Sequence, residues 1–167
     1  MFTYCVFCQT AKCDYVAKTA EQQYRCQAIS PKQVQHTRSK GKMVDYVHDL
    51  LPGYVFLYSE EAPIEIVSVQ AIQGVIRCLS DHEHRFELSG ADEQFALMLL
   101  HKDGVIGKTK VYREGDRISI CKGAFLGVEA QILKVNRRNM RMQIEIPFAS
   151  RTVKTWVEYE VVEKDND

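Results

Sequence analysis

Leu51-Pro52-Gly53-Tyr54-Val55-Phe56 constrains this chain more than any other stretch. Pro and Gly force a turn, and an aromatic, β-branched strand follows at once. Side chains two apart on a strand lie on one face, so Tyr54 and Phe56 form a rigid apolar platform. Such a platform either fills a core or docks a partner. Aromatics at strand spacing are core more often than interface. Here Leu50 and Leu51, just before the turn, already supply core candidates, which tilts the two rings toward docking.

The flanking segments predict what the platform belongs to. Thr3 to Cys8 reads as an opening strand, with Tyr4, Val6 and Cys8 on one side and Cys5 and Phe7 on the other. Both faces are apolar, which suits a central strand buried by helices. Asp14 to Ala28 predicts a helix with Val16, Ala20 and Tyr24 on one face, ended by Pro31. Residues 33–48 read as a long polar hairpin with Ser39-Lys40-Gly41-Lys42 at its tip. Pro63 sits where a short helix would begin, and Gly74 to Leu79 is a further strand. Ser89 caps a last helix, with Asp92 and Glu93 in its first turn. The order β-α-β-β-α-β-α predicts an α+β domain over residues 1–103, an antiparallel sheet with flanking helices.

Residues 104–114 carry charge and glycine and read as a linker. Beyond them the apolar period becomes two, at Ile118 and Ile120, Ile132 and Val135, Met140 to Ile146, and Val153 and Val157. Short alternating strands with tight turns predict a small β-barrel over 115–167.

Charge separates the same two parts. The whole chain balances 22 Lys and Arg against 22 Asp and Glu. Residues 1–103 carry 10 basic and 13 acidic side chains, whereas 104–154 carry 11 basic and 4 acidic, and 155–167 one Lys and five acids. A basic module joined to a mildly acidic one points to nucleic acid. The basic side chains of interest are Lys122, Lys134, Arg137, Arg138, Arg141, Arg151 and Lys154. Arg137-Arg138-Asn139 falls at a strand turn, which can project two guanidinium forks together toward phosphates or stacked bases.

Other chemistry is poorly served. No apolar run reaches the length of a membrane span, and no basic region followed by an apolar core marks a secretory signal. A cytoplasmic protein with reduced thiols is expected. Cys5-x-x-Cys8 lacks a second pair for zinc, and the two thiols would point to opposite sheet faces. Asp81, His82, Glu83 and His84 read as a solvated hairpin tip. No phosphate loop, nucleophile elbow or metalloprotease helix occurs, so neither enzyme, metal nor cofactor is expected.

Taken in order, the aromatic opening strand, Pro52-Gly53-Tyr54-Val55, Gly115-Asp116 and Gly123-Ala124-Phe125 resemble NusG-type transcription elongation factors, over roughly residues 2–164. The resemblance implies a NusG N-terminal domain and a KOW barrel. It implies that Tyr54 and Phe56, with Tyr4 or Phe7, lie on the clamp helices of the largest RNA polymerase subunit. Val67, Gln70 and Gln73 match a second polymerase-facing surface. Lys12 and Arg77 are candidates for the non-template DNA strand by position and charge.

The chain also departs from the housekeeping members. Ala130 stands where their KOW motif centres on glycine, and Phe148-Ala149-Ser150 replaces their Phe-Gly loop. The run Gly123 to Ala130 is similar to the specialised paralogue RfaH. The strongly basic barrel is more like LoaP, which implies an RNA hairpin in the nascent transcript as partner. The reading is thus a monomeric antitermination factor tethered by RNA. Its rivals are a housekeeping factor whose barrel binds Rho or a ribosomal protein, an RfaH-like fold switch, and an enzyme with a barrel domain. Against the switch, Val, Ile and Thr at period two disfavour helix.

Overall fold

The computed structural model describes residues 1–164; Asp165, Asn166 and Asp167, at the end of the expected barrel domain, lie outside the described residues. The chain divides into two compact units, one built from residues 1–32 and 51–105, the other from 33–50 and 106 onward.

In the first unit β1 (Phe2–Cys8) is followed by a 3₁₀ turn at Thr10–Lys12, then α1 (Cys13–Gln23) and β2 (Gln27–Ile29). After an excursion through β3 (Lys32–Ser39) and β4 (Lys42–Asp49), the chain returns as β5 (Tyr54–Ser59), α2 (Ile66–Val69), β6 (Val75–Cys78) and α3 (Gly90–His101). The sheet order is β2-β5-β1-β6, with every neighbouring pair antiparallel. The two central strands are the two most apolar ones, as a sheet covered on both sides requires. One face sets Tyr4, Val6, Val55 and Leu57 against Val16 and Ala20 of α1 and Val69 of α2. On the other face Phe56 meets Phe95 of α3 edge to face at 6.1 Å. Beside it the Tyr58 hydroxyl donates to the Ala96 carbonyl at 2.7 Å.

The expected helix over 14–28 stops earlier. Tyr24 is already extended, with φ −125° and ψ 133°. Gln27, Ala28 and Ile29 instead pair with Tyr58, Leu57 and Phe56 of β5. The edge strand aligns with β5 at three positions, Ile29 beside Phe56, and that tertiary gain overrides local helix propensity.

The second unit contains the 33–50 hairpin, expected from sequence in the first domain. Its two-residue turn has Lys40 at φ +48° and Gly41 at φ +78°, the doubly left-handed form that matches strand twist. That turn sets His36 opposite Asp45, and the two side chains bond. Side-chain and backbone bonds tie the hairpin to the C-terminal part. Gln33 Nε2 donates to the Trp156 carbonyl at 2.7 Å, His36 N–H donates to the Glu158 carboxylate at 3.2 Å, and Thr155 Oγ1 donates to the Leu50 carbonyl.

The remaining strands are β7 (Val105–Ile106), β8 (Thr109–Glu114), β9 (Arg117–Lys122), β10 (Gln131–Asn136), β11 (Arg141–Phe148) and β12 (Arg151–Val161). Five of them form a sheet in the order β10-β11-β12-β8-β9. Val111, Phe125, Met142, Ile144 and Ile146 fill its interior. Residues 109–114 are therefore not linker. Val111 is fully buried, pairs with Ile120 on one side and aligns in parallel with Val161 on the other. Charge at Lys110 and Arg113 masked a strand whose apolar positions are few. Among the described residues no helix is long and apolar enough to cross a membrane.

Candidate functional site

The Pro-Gly turn builds the first candidate site. Gly53 has φ +93°, and a Cβ there would lie 2.7 Å from a Phe7 ring carbon. Only glycine allows both that backbone and that contact. The Phe7 ring then meets Tyr54 edge to face, centroids 5.2 Å apart, and carries the Arg77 guanidinium 5.7 Å from its centre. Phe7 is half-buried and Arg77 exposed, while Tyr54 keeps 9% of its surface. Two residues assigned from sequence to different surfaces, Phe7 and Arg77, thus share one cluster at the end of the sheet.

Phe56 and Tyr4 are not surface residues. Phe56 is fully buried and Tyr4 is 4% exposed. Phe56 faces the layer under α3, and Tyr4 faces the layer under α1 and α2. Burial also raises the Tyr4 phenol above its ordinary range. Both belong to the core, so the platform is reduced to its Phe7–Tyr54 end.

The second expected surface is open to solvent. Val67 is 56% exposed, and Gln70 and Gln73 are exposed beside it. Lys12 lies against Gly74, where an added Cβ would come 2.7 Å from the lysine Cβ. Its ammonium sits 5.4 Å from the centre of the Tyr15 ring. Tyr15 is half exposed there. It stands three residues after that lysine, in the first turn of α1.

The seven basic side chains singled out from the sequence do not form one patch. Asn136 pairs with Arg141, so Arg137 to Met140 form the β10–β11 turn, closed by Asn139 N–H donating to Asn136 Oδ1 at 3.1 Å. Arg137 and Arg138 project from it, both exposed. Arg137 reaches Asp116 at 3.0 Å. Lys134 lies on the strand leading into the turn, and Arg141, on the strand leaving it, stacks over Trp156 at 5.9 Å.

Arg151 follows the opposite turn, at Ala149-Ser150, one full length of β11 away, or about 23 Å. Lys122 ends β9, about 17 Å along the strand from the Asp116 end that Arg137 touches. Lys154 pairs with Glu145 at 3.7 Å on the strand face between. Arg137 and Arg138 are thus the exposed basic pair at this turn, with Lys134 and the half-buried Arg141 on the strands it joins; Lys122, Arg151 and Lys154 lie apart from it. A meander places successive turns at opposite ends, which a linear list of basic residues hides.

Cys5 and Cys8 do point to opposite faces, Cys8 into the helix-covered core and Cys5 opposite Phe56. Burial, with Cys13 and Cys78 nearby, pushes the Cys8 thiol up to about 12. Asp81 accepts the backbone N–H groups of Glu83 and Arg85 and pairs with the Arg85 guanidinium. That set makes 81–85 a self-closed turn. The bonds from Arg85 hold the Asp81 carboxyl below its ordinary range. Among the described residues no three of His, Cys, Asp and Glu converge as a metal ion would need.

The first unit thus carries an aromatic–arginine cluster at the end of an α+β sheet, and the second an exposed arginine turn on a β-sheet. The chain belongs to the NusG family: the family described as "Transcription termination factor nusG" matches residues 3–95. That is a family of transcription factors, not enzymes. The "Transcription termination/antitermination protein NusG" of Lactococcus lactis subsp. lactis (strain IL1403) is 27% identical over 123 residues, 70% of this chain and 64% of that protein. The chain therefore spans somewhat less than two thirds of that relative's length. The fold is similar to a solved structure described as "Domain interaction in Thermotoga maritima NusG", with TM-score 0.53 and 15% identity over 94% of this chain and 93% of that one. At that identity the likeness speaks for the fold, with its KOW-like β unit.

Proposed function

We propose that this protein is a transcription elongation factor that rides on RNA polymerase and promotes antitermination at particular operons by holding a leader RNA hairpin. The polymerase clamp helices dock on the Phe7–Tyr54 end of the first sheet, with Val67, Gln70 and Gln73 on a second face. Lys12 and Arg77 lie beside the non-template strand. The RNA is taken by the β10–β11 turn, in the manner of LoaP.

The observation that carries the RNA reading is the exposed Arg137–Arg138 pair, flanked by Lys134 and Arg141. A structured RNA is read by shape and by splayed loop bases, and arginine suits both phosphate and stacked base. Tethering by RNA raises the local concentration of a weak polymerase binder. Termination control in the Lactococcus relative and the family model are consistent with that role.

The test is a pull-down of RNA polymerase and leader transcripts by the full chain and two variants. Phe7→Ala should lose polymerase and keep RNA. Arg137→Ala with Arg138→Ala should keep polymerase and lose RNA. Retention of both partners by both variants would overturn the assignment of surfaces.

A further inference from the structure

Three turns of the second unit lie toward the same end of it. Arg141 pairs with Glu158, and the Met140 carbonyl accepts from the Tyr159 N–H, so the β10–β11 turn sits at the level of Tyr159. β8 runs parallel to β12 from Tyr159 to Val161 and continues the same way to Glu114. Glu114 pairs with Arg117, which leaves Gly115 and Asp116 as the β8–β9 turn. Arg137 crosses to Asp116 at 3.0 Å and joins these two turns. The third is the tip of the 33–50 hairpin. Gln33 meets Trp156 and His36 meets Glu158, so β3 travels alongside β12 in the same direction. Its Lys40-Gly41 turn then lies beyond His36 by about 13 Å of strand.

All three turns are cationic. Arg38, Lys40 and Lys42 are exposed at the hairpin tip, and Arg113 and Arg117 flank the β8–β9 turn, exposed like the arginine pair of the β10–β11 turn. Asp116, Glu114 and Asp45 are each held by a basic neighbour, Arg137, Lys164 and His36. Among the described residues no ion pair engages the three tip cations, Arg117 or Arg138. Elsewhere on the sheet Lys110 and Lys154 are tied to Glu160 and Glu145. None of the three turns contains an aromatic ring, so they offer charge without the stacking platform on which single strands are held. The sheet turns form one row of cations and the hairpin ribbon another. A double-stranded RNA is recognised by shape and phosphate contacts across its groove, and its two phosphate rows match those two rows.

We infer that the hairpin tip and the β8–β9 turn complete the site of the arginine turn, and that the three together grip the phosphates of double-stranded RNA, the stem of the transcript hairpin. The inference rests on the RNA reading above and extends it from one turn to three. Charge-assisted bonds to phosphate fix the stem in place, and the site draws on residues from both halves of the sequence.

The test is fluorescence anisotropy with a labelled RNA stem-loop, the blunt duplex of its stem and one unpaired strand, each titrated with the full chain over a range of salt. The stem-loop and the duplex should bind alike, and the single strand at least about tenfold more weakly. Arg38→Gln with Lys40→Asn and Lys42→Gln removes the tip charges and keeps the hairpin, because Asn-Gly favours the same doubly left-handed turn. It should flatten the dependence of log affinity on log salt by about 2.1 to 2.7. Arg113→Gln with Arg117→Gln should flatten it by about 1.4 to 1.8. Lys18→Gln with Lys102→Gln, exposed lysines of the first unit, should leave it unchanged. A wild-type slope in the tip variant, while Arg137→Ala with Arg138→Ala loses RNA, would overturn this inference and leave the RNA reading standing. Equal binding of the single strand, or an equal change of slope in the Lys18 and Lys102 variant, would also overturn it. Absence of salt-dependent binding by the wild type to all three RNAs would overturn the RNA reading and this inference with it.

Discussion

β5 and the turn between β10 and β11 carry the two strongest functional signals in the sequence, and the fold disposes of them in opposite ways. All six residues of β5 are buried. Residues 136–140 of the turn are all exposed. A strand in the middle of a sheet covered on both faces is a wall, and its side chains are committed to the layers they separate. In the proposed function, docking is therefore left to the end of that wall, at the half-buried Phe7 ring beside Tyr54. A turn has no core to serve, so its composition is free to answer to a partner. The same aromatic and basic enrichment therefore means different things according to how many sides of an element are already occupied.

The largest expected effect tests the wall. Phe56→Ala removes a fully buried ring against Phe95 and should cost about 3–5 kcal/mol in urea unfolding. Phe7→Ala, at the half-buried end, should cost clearly less and leave circular dichroism unchanged. Equal losses would erase the distinction between the interior of the sheet and its end.

Next in size is the turn that aims this end. Gly53→Ala meets both the φ of +93° and the Phe7 ring at 2.7 Å. We expect about 1–3 kcal/mol of destabilisation, together with weakened polymerase capture as Phe7 is displaced. A neutral substitution would mean that the ring is not held by the turn.

These cases mark what the sequence could and could not disclose. β1, β5, α3 and the alternating strands of the second unit were legible because apolar periodicity is imposed by burial, and burial dominates stability. The Pro-Gly turn was legible because backbone sterics allow few residues there. What escaped depends on partners distant in the chain. Gln27 to Ile29 become a strand only because β5 lies beside them. Residues 109–114 look like linker until Val161 and Ile120 flank them. The hairpin 33–50 joins the second unit through bonds to Trp156, Thr155 and Glu158, more than a hundred residues away. For the candidate sites, type of residue was readable and exposure was not. Alternation says that Tyr54 and Phe56 share a face, but only α3 says that the face is covered.

The turn offers a smaller effect with the opposite signature. Arg137→Ala with Arg138→Ala should leave stability within about 0.5 kcal/mol, because exposed charges contribute little. The same pair should flatten the dependence of log affinity for a leader RNA on log salt by about 1.4 to 1.8, two phosphate contacts' worth. Loss of stability without a change in salt slope would reverse the contrast with β5 and place the turn among structural elements.

The finest test asks whether a buried polar layer in the second unit behaves like β5 or like the turn. His48 Nε2 is buried and without a bonding partner, as is the Nε of Arg141. Burial lowers the His48 pKa from its ordinary 6.5, and the Arg141 charge lowers it further, while Glu158 and Asp49 pull the other way. The folded state thus binds the His48 proton less tightly than the unfolded chain does. Stability from this group is complete above 6.5 and is lost as pH falls from there through the lowered folded value. Urea midpoints at about pH 7.5 and about pH 5.5 should show the wild type losing more on acidification than His48→Gln, which has nothing to protonate at that position. Parallel losses in the two proteins would mean that His48 is as wet as the arginine turn, and that its protonation plays no part in holding the hairpin of residues 33–50.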